Sequence, residues 1–110
     1  MKILHLTLKK KWFDMIASGE KTEEYRELKP YWGQRFCSHW CKAEKVKCDP
    51  PFKRFDVIRF QNGYAKDAPT FDIELKEIEI NIGIEKWGAV PHVRYFVLKL
   101  GQVIKQRYSK

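Results

Sequence analysis

The run Thr70-Phe71-Asp72-Ile73-Glu74-Leu75-Lys76-Glu77-Ile78-Glu79-Ile80-Asn81-Ile82 decides the fold. Apolar and polar residues alternate along it, the period-2 pattern of a strand with one buried face. Phe71, Ile73 and Leu75 hold one parity, whereas Ile78, Ile80 and Ile82 hold the other. A strand keeps its apolar face inward across such a change only by bulging or bending, so a corner is expected near Lys76-Glu77. Small barrels need corners of this kind to curl round. Upstream, Phe55 to Phe60 alternates again and Asn62-Gly63 is a hairpin-turn signal, which makes that run the partner strand. Downstream, Trp87-Gly88 falls in a connecting turn, Tyr95 to Leu100 reads as a strand, and Gly101 separates it from Val103-Ile104.

The N-terminal third follows different periods. Ile3 to Leu8 alternates, with Leu4, Leu6 and Leu8 on one face and Ile3, His5 and Thr7 on the other. Between residues 10 and 18 the period lengthens: Trp12, Phe13, Ile16 and Ala17 form a stripe on a short helix that Gly19 can close. Lys21-Thr22-Glu23-Glu24-Tyr25-Arg26 is too polar for an ordinary core strand; with period 2, Thr22, Glu24 and Arg26 share one face and Lys21, Glu23 and Tyr25 the other. Such a strand is solvated on one face or lines a polar cleft. After Pro30, Tyr31 to Phe36 can form a helical turn, and residues 38–54, with Pro50-Pro51, read as an irregular loop. The sum is an α+β chain: a small β-barrel of five or six mostly antiparallel strands with one or two short helices.

At 110 residues the chain suits one domain, residues 1–110. Its formal net charge of +8 points to a polyanionic partner, with nucleic acid the commonest, although a merely soluble basic protein has the same composition. No apolar run approaches the roughly 20 residues that span a bilayer, so no membrane partner is expected. Lys9-Lys10-Lys11 follows the first apolar stretch, the wrong order for a signal peptide. Three cysteines, all within residues 37–48, do not suggest a secreted disulfide framework, and the expected compartment is the cytoplasm. Cys37, His39, Cys41 and Cys48 are sufficient in number for tetrahedral zinc, but their spacing is not that of a common finger, and neither metal nor other cofactor is expected.

The polar segment carries the chemistry. Gly19 lets the chain turn sharply out of the helix. Lys21 is a point charge whose pKa burial can lower, a possible base or nucleophile, and Arg26 is a permanent planar fork suited to phosphate. Glu23 and Glu24 can pair with both cations, the economical arrangement inside a cleft. The plain alternative is a solvated edge strand whose charges discourage aggregation. The order of strand, helix, Gly19-x-Lys21-Thr22-x-Glu24-x-Arg26 and later hairpin, with Glu85-Lys86-Trp87-Gly88-Ala89 near the end, resembles the ASCH domain family, in particular its small stand-alone bacterial and phage members. The resemblance covers most of the chain, residues 37–54 least. It implies a PUA-like barrel and a role in RNA or nucleotide chemistry. Some members hydrolyse acetylcytidine and others are described as ribonucleases. In the amidohydrolase pattern the motif Lys is joined by a Thr three positions on, where this chain has Glu24, and by a later Glu, for which Glu74, Glu77 and Glu79 are candidates. A carboxylate does not replace that hydroxyl nucleophile, but it can act as a general base on water.

Aromatic and cationic residues interleave, as stacking and phosphate neutralisation require. Tyr25, Tyr31, Trp32 and Tyr64 are candidate cleft-lining residues, with Arg35 among the cations; Trp12 reads as helix core and Trp87 as packed under its turn. Residues 2–11 and 99–110 carry cations and no acid, one basic surface if the two ends of the chain lie together. Three functions remain open. The leading one binds RNA or a nucleotide-like ligand through Lys21, Thr22, Tyr25, Arg26, Trp32, Arg35 and Tyr64. The second is a hydrolase using Lys21 and Glu24, and the third is a basic face docking an acidic protein. The first two require the Lys21 ammonium, the Arg26 guanidinium and a neighbouring acid to open into one concave pocket.

Overall fold

The computed structural model describes residues 2–37 and 52–107. Five strands form one sheet: β1 (Ile3–Leu8), β2 (Glu23–Glu27), β3 (Val57–Asn62), β4 (Thr70–Ile82) and β5 (Arg94–Arg107). Two helices, α1 (Lys10–Ala17) and α2 (Pro30–Phe36), follow β1 and β2. The strand order is β1-β3-β4-β5-β2, with β1 parallel to β3 and the other pairings antiparallel. The sheet curls into a half-barrel whose free edges are β1 and β2.

The corner expected in the long strand is present. Register shifts interrupt the β4–β5 ladder between Asp72 and Glu77, where the apolar parity changes. The bend lets one long ribbon serve two neighbours. The first half of β4 pairs with β3, and the first half of β5 pairs with β2. Leu4, Leu6, Leu8, Ile58, Phe60, Phe71 and Phe96 fill the concave side. Phe13 and Ile16 of α1 close it from one side, Phe13 meeting Phe71 edge-on with ring centres 4.7 Å apart. Phe36 of α2, fully buried, meets Phe96 at 5.3 Å. Pro30 starts α2 without losing a hydrogen bond, because the first helical N–H has no intrahelical acceptor.

Two turn expectations need correction. Asn62-Gly63 does not form a two-residue hairpin: β3 ends at Asn62 and β4 begins at Thr70, with the Asn62 N–H donating to the Pro69 carbonyl. Gly63, at φ 77°, starts a wider connection whose next residue, Tyr64, is 90% exposed. Gly101 does not separate two strands either; it lies within β5, where the Glu74 side chain crosses so closely that a Cβ would sit 1.9 Å from its Oε1. The glycine marks a close approach rather than a break.

The β4–β5 connection folds back as a single 3-10 turn, Glu85–Trp87, closed by Gly88 in the left-handed region. It rests on β2 through Tyr25, whose hydroxyl donates to Glu23 (2.7 Å) and accepts the Ile84 N–H (2.9 Å). Among the described residues no helix is long and apolar enough to cross a membrane. A Cβ on Gly83 would lie 2.6 Å from the Ala89 Cβ and 2.9 Å from the Tyr25 ring. Gly83→Ala is therefore expected to cost about 1–3 kcal/mol by overpacking a ring held at both ends, and denaturant titration against the parent protein checks it.

Candidate functional site

Lys21 leaves α1 before β2 begins, its N–H donating to the Met15 carbonyl (3.0 Å). Strand parity therefore does not apply to it. Instead of facing away from Glu24, its Nζ donates to Glu24 Oε1 at 2.6 Å, with the Lys21 side chain wholly buried and Glu24 9% exposed. Trp12 and Tyr25 flank the ammonium, each ring centre 5.3 Å from Nζ. Burial lowers the Lys21 pKa from its ordinary value, outweighing the opposing pull of Glu24; Arg26 adds to the lowering. Tyr25 is raised well above the usual phenol range, first by burial and then by its bond to Glu23.

The second oxygen of Glu24 accepts from Arg26 Nη2 at 2.9 Å. The same Nη2 donates to the Thr7 carbonyl on β1 at 3.1 Å. Arg26 thus ties the two free edges of the half-barrel where no backbone ladder joins them. Its Nε is buried without a partner. The guanidinium lies over Trp32 of α2, 4.8 Å from the ring centre. Arg35, one helical turn on, lies over the same ring at 5.5 Å and donates to the His5 carbonyl at 3.1 Å.

Between the two edges is a cleft of about 690 Å³, lined by Thr7, Lys9, Trp12, Tyr25, Arg26, Trp32 and Tyr64 together with the acids Glu24 and Glu27. A second hollow of about 720 Å³ shares Trp12, Glu24 and Tyr25 and runs on to Trp87, Val93 and Tyr95. A smaller groove of about 380 Å³ follows the outer face of β1, between His5, Tyr31, Arg35 and Lys53.

Glu24, Tyr25, Arg26, Trp32 and Tyr64 are therefore brought to one cleft. Lys21 is not in its wall: the ammonium stands behind Glu24, so only the acid and the guanidinium of the expected trio open into the hollow. Thr22 is exposed and lines neither hollow; its carbonyl accepts the Leu100 N–H (3.0 Å). Arg35 and Tyr31 line the groove rather than the cleft. Glu77 and Glu79 reach Lys99, at 3.8 and 3.1 Å, and Glu74 lines a hollow elsewhere. Lys99 is thus not a free part of a basic surface. Trp12 packs against the core, as expected, and also walls both hollows; its position at the margin of the helical stripe is the signal for that second role.

Cys37 is buried and disulfide-bonded, so it is not a thiolate ligand, and the expectation that the cysteines form no disulfide, used to place the chain in a reducing compartment, fails for it. The other zinc candidates, His39, Cys41 and Cys48, lie outside the described residues. Comparison with known proteins finds no match among family models, curated proteins or solved structures.

Glu24→Gln leaves the Lys21 ammonium buried without its counter-charge, and a loss of about 3 kcal/mol is expected at neutral pH. The Lys21 pKa, already below its unfolded value, falls further in the variant, so unfolding takes up a proton between that value and about 10.5. Stability in that window rises with pH, and the deficit against the parent should shrink towards pH ~10 in paired denaturation curves.

Proposed function

We propose that the chain is a nucleic-acid-binding module of the ASCH kind, taking RNA or a nucleotide-like ligand in the cleft between β1 and β2. The observation that carries this reading is the Lys21–Glu24–Arg26 triad. It falls within the Gly19-x-Lys21-Thr22-x-Glu24-x-Arg26 motif and holds a guanidinium at the wall of an aromatic cleft. Arg26 offers to phosphate or a base carbonyl the guanidinium N–H groups that Glu24 and Thr7 leave unused, and Lys9 adds a point charge in the lining. Tyr64, 90% exposed, supplies a ring face for stacking; Trp32 is stacked on Phe36 and overlaid by Arg26 and Arg35, so it braces those cations instead. Glu24 holds both cations, and Glu27 is the second carboxylate of the lining, an acceptor for a ligand amine. A PUA-like relationship for the half-barrel belongs to the same proposal and rests on the motif resemblance.

A hydrolase acting on a modified nucleoside or on RNA is the second reading, favoured by the lowered Lys21 pKa. An amine that gives up its proton more readily than usual, bonded to a carboxylate facing the cleft, can support general acid–base work through Glu24. The absence of a hydroxyl at position 24 argues against the acyl-transfer form of that chemistry.

Titration with nucleotides, modified nucleosides and short RNAs, followed by anisotropy and by product analysis, separates the two. Tyr64 is so exposed that Tyr64→Ala should leave the melting temperature unchanged, while RNA binding weakens by about 1 kcal/mol or more. Lys9→Ala should reduce the log–log salt slope by about 0.7 for a single strand. Turnover abolished by Lys21→Met would establish the hydrolase; binding with no turnover would establish the module. If nothing in the panel binds, both readings fall and docking of an acidic protein replaces them.

A further inference from the structure

We propose that the ligand is a single-stranded polynucleotide whose chain leaves the cleft along the free edge of β1, passes over the Arg26 and Arg35 guanidiniums that cover Trp32, and continues in the groove between His5, Tyr31, Arg35 and Lys53. This rests on the nucleotide-binding reading and extends it from one nucleotide to several.

The edge strand supplies the geometry. In a parallel pairing every second residue directs its backbone groups away from the partner, and on β1 these include His5 and Thr7. Their carbonyls are taken by Arg35 and Arg26 respectively, both at 3.1 Å. The two acceptors are two residues apart, about 7 Å along a strand. That is about two rises of a stacked single strand, at ~3.4 Å each. One bond from each guanidinium to the backbone fixes its place, and the remaining N–H groups of Arg35 have no acceptor among the described contacts.

Exposed rings stand at the two ends of these cations. Trp32 lies beneath both guanidiniums, and Tyr31 meets it edge-on with centres 4.7 Å apart. Tyr31 is 61% exposed and Tyr64, at the cleft end, 90%. Exposed rings at both ends of a cationic path suit unpaired bases, which stack, and not paired ones, whose faces are already covered. The groove carries no carboxylate among its described lining, and Lys53 extends the positive path. A mononucleotide would fill the cleft and leave that groove unused. An acidic peptide would satisfy the cations but not the exposed rings.

The test compares a mononucleotide, a single-stranded RNA of about eight nucleotides, the corresponding duplex and poly-glutamate on the parent protein. The expected result is at least about tenfold tighter binding of the single strand than of the mononucleotide, the worth of one added stacked base. Tyr31→Ala and Arg35→Lys, each checked for an unchanged melting temperature, should remove most of that gain and leave mononucleotide binding as it was. Tyr64→Ala should weaken both ligands. Equal affinity for mononucleotide and single strand overturns the path while the cleft reading stands. So does an oligonucleotide gain that survives both groove variants, or equal binding of duplex or poly-glutamate. No binding of nucleotide or RNA removes the cleft reading and the path with it.

Discussion

A single carboxylate, that of Glu24, organises the buried charges beside the cleft. One oxygen neutralises an ammonium with no access to solvent and the other holds a guanidinium that is 16% exposed. Ions taken so far from water persist only when paired, and losing one partner costs more than the pair contributes. Arg26 then reaches past Glu24 to the Thr7 carbonyl. The chain of contacts from the end of α1, through β2, to β1 is the link that holds the open side of the half-barrel in register.

Leaving the barrel unclosed is what creates the candidate site. Were β1 and β2 paired by backbone, their edge groups would face each other and no cleft would lie between them. With the edges apart, the outward carbonyls of β1 need donors. Arg26 and Arg35 supply them, braced by the ring of Trp32. The same guanidiniums that satisfy an exposed strand edge, and so guard it against pairing with another chain, are in the proposed function the fixed cations of the binding surface. Under that proposal, edge protection and ligand recognition share one set of residues.

Where the relevant signal lay within a few residues, the sequence was legible. The parity change between Leu75 and Ile78 located the bend in β4, and the stripe from Trp12 to Ala17 located α1. The motif drew attention to Lys21, Glu24 and Arg26, which do meet. Their geometry was not legible, because strand parity was extended to Lys21, a residue still bound to the end of α1 through Met15. Glycine carried a similar ambiguity. Gly101 admits the crossing Glu74 side chain, whereas Gly63 opens a wide loop, and both look like turn residues in isolation.

Local pattern by itself determined the α+β composition, the placement of the bend and the clustering of opposite charges after α1, since each depends on neighbours along the chain. Only the tertiary structure decided that β1 and β2 become the two free edges, that Trp12 walls a cleft, and that His5 and Arg35 meet across 30 positions. The physical reason is that strand order and curvature accumulate over the whole sheet. Residues distant in sequence meet at its open side only after every intervening strand has taken its place.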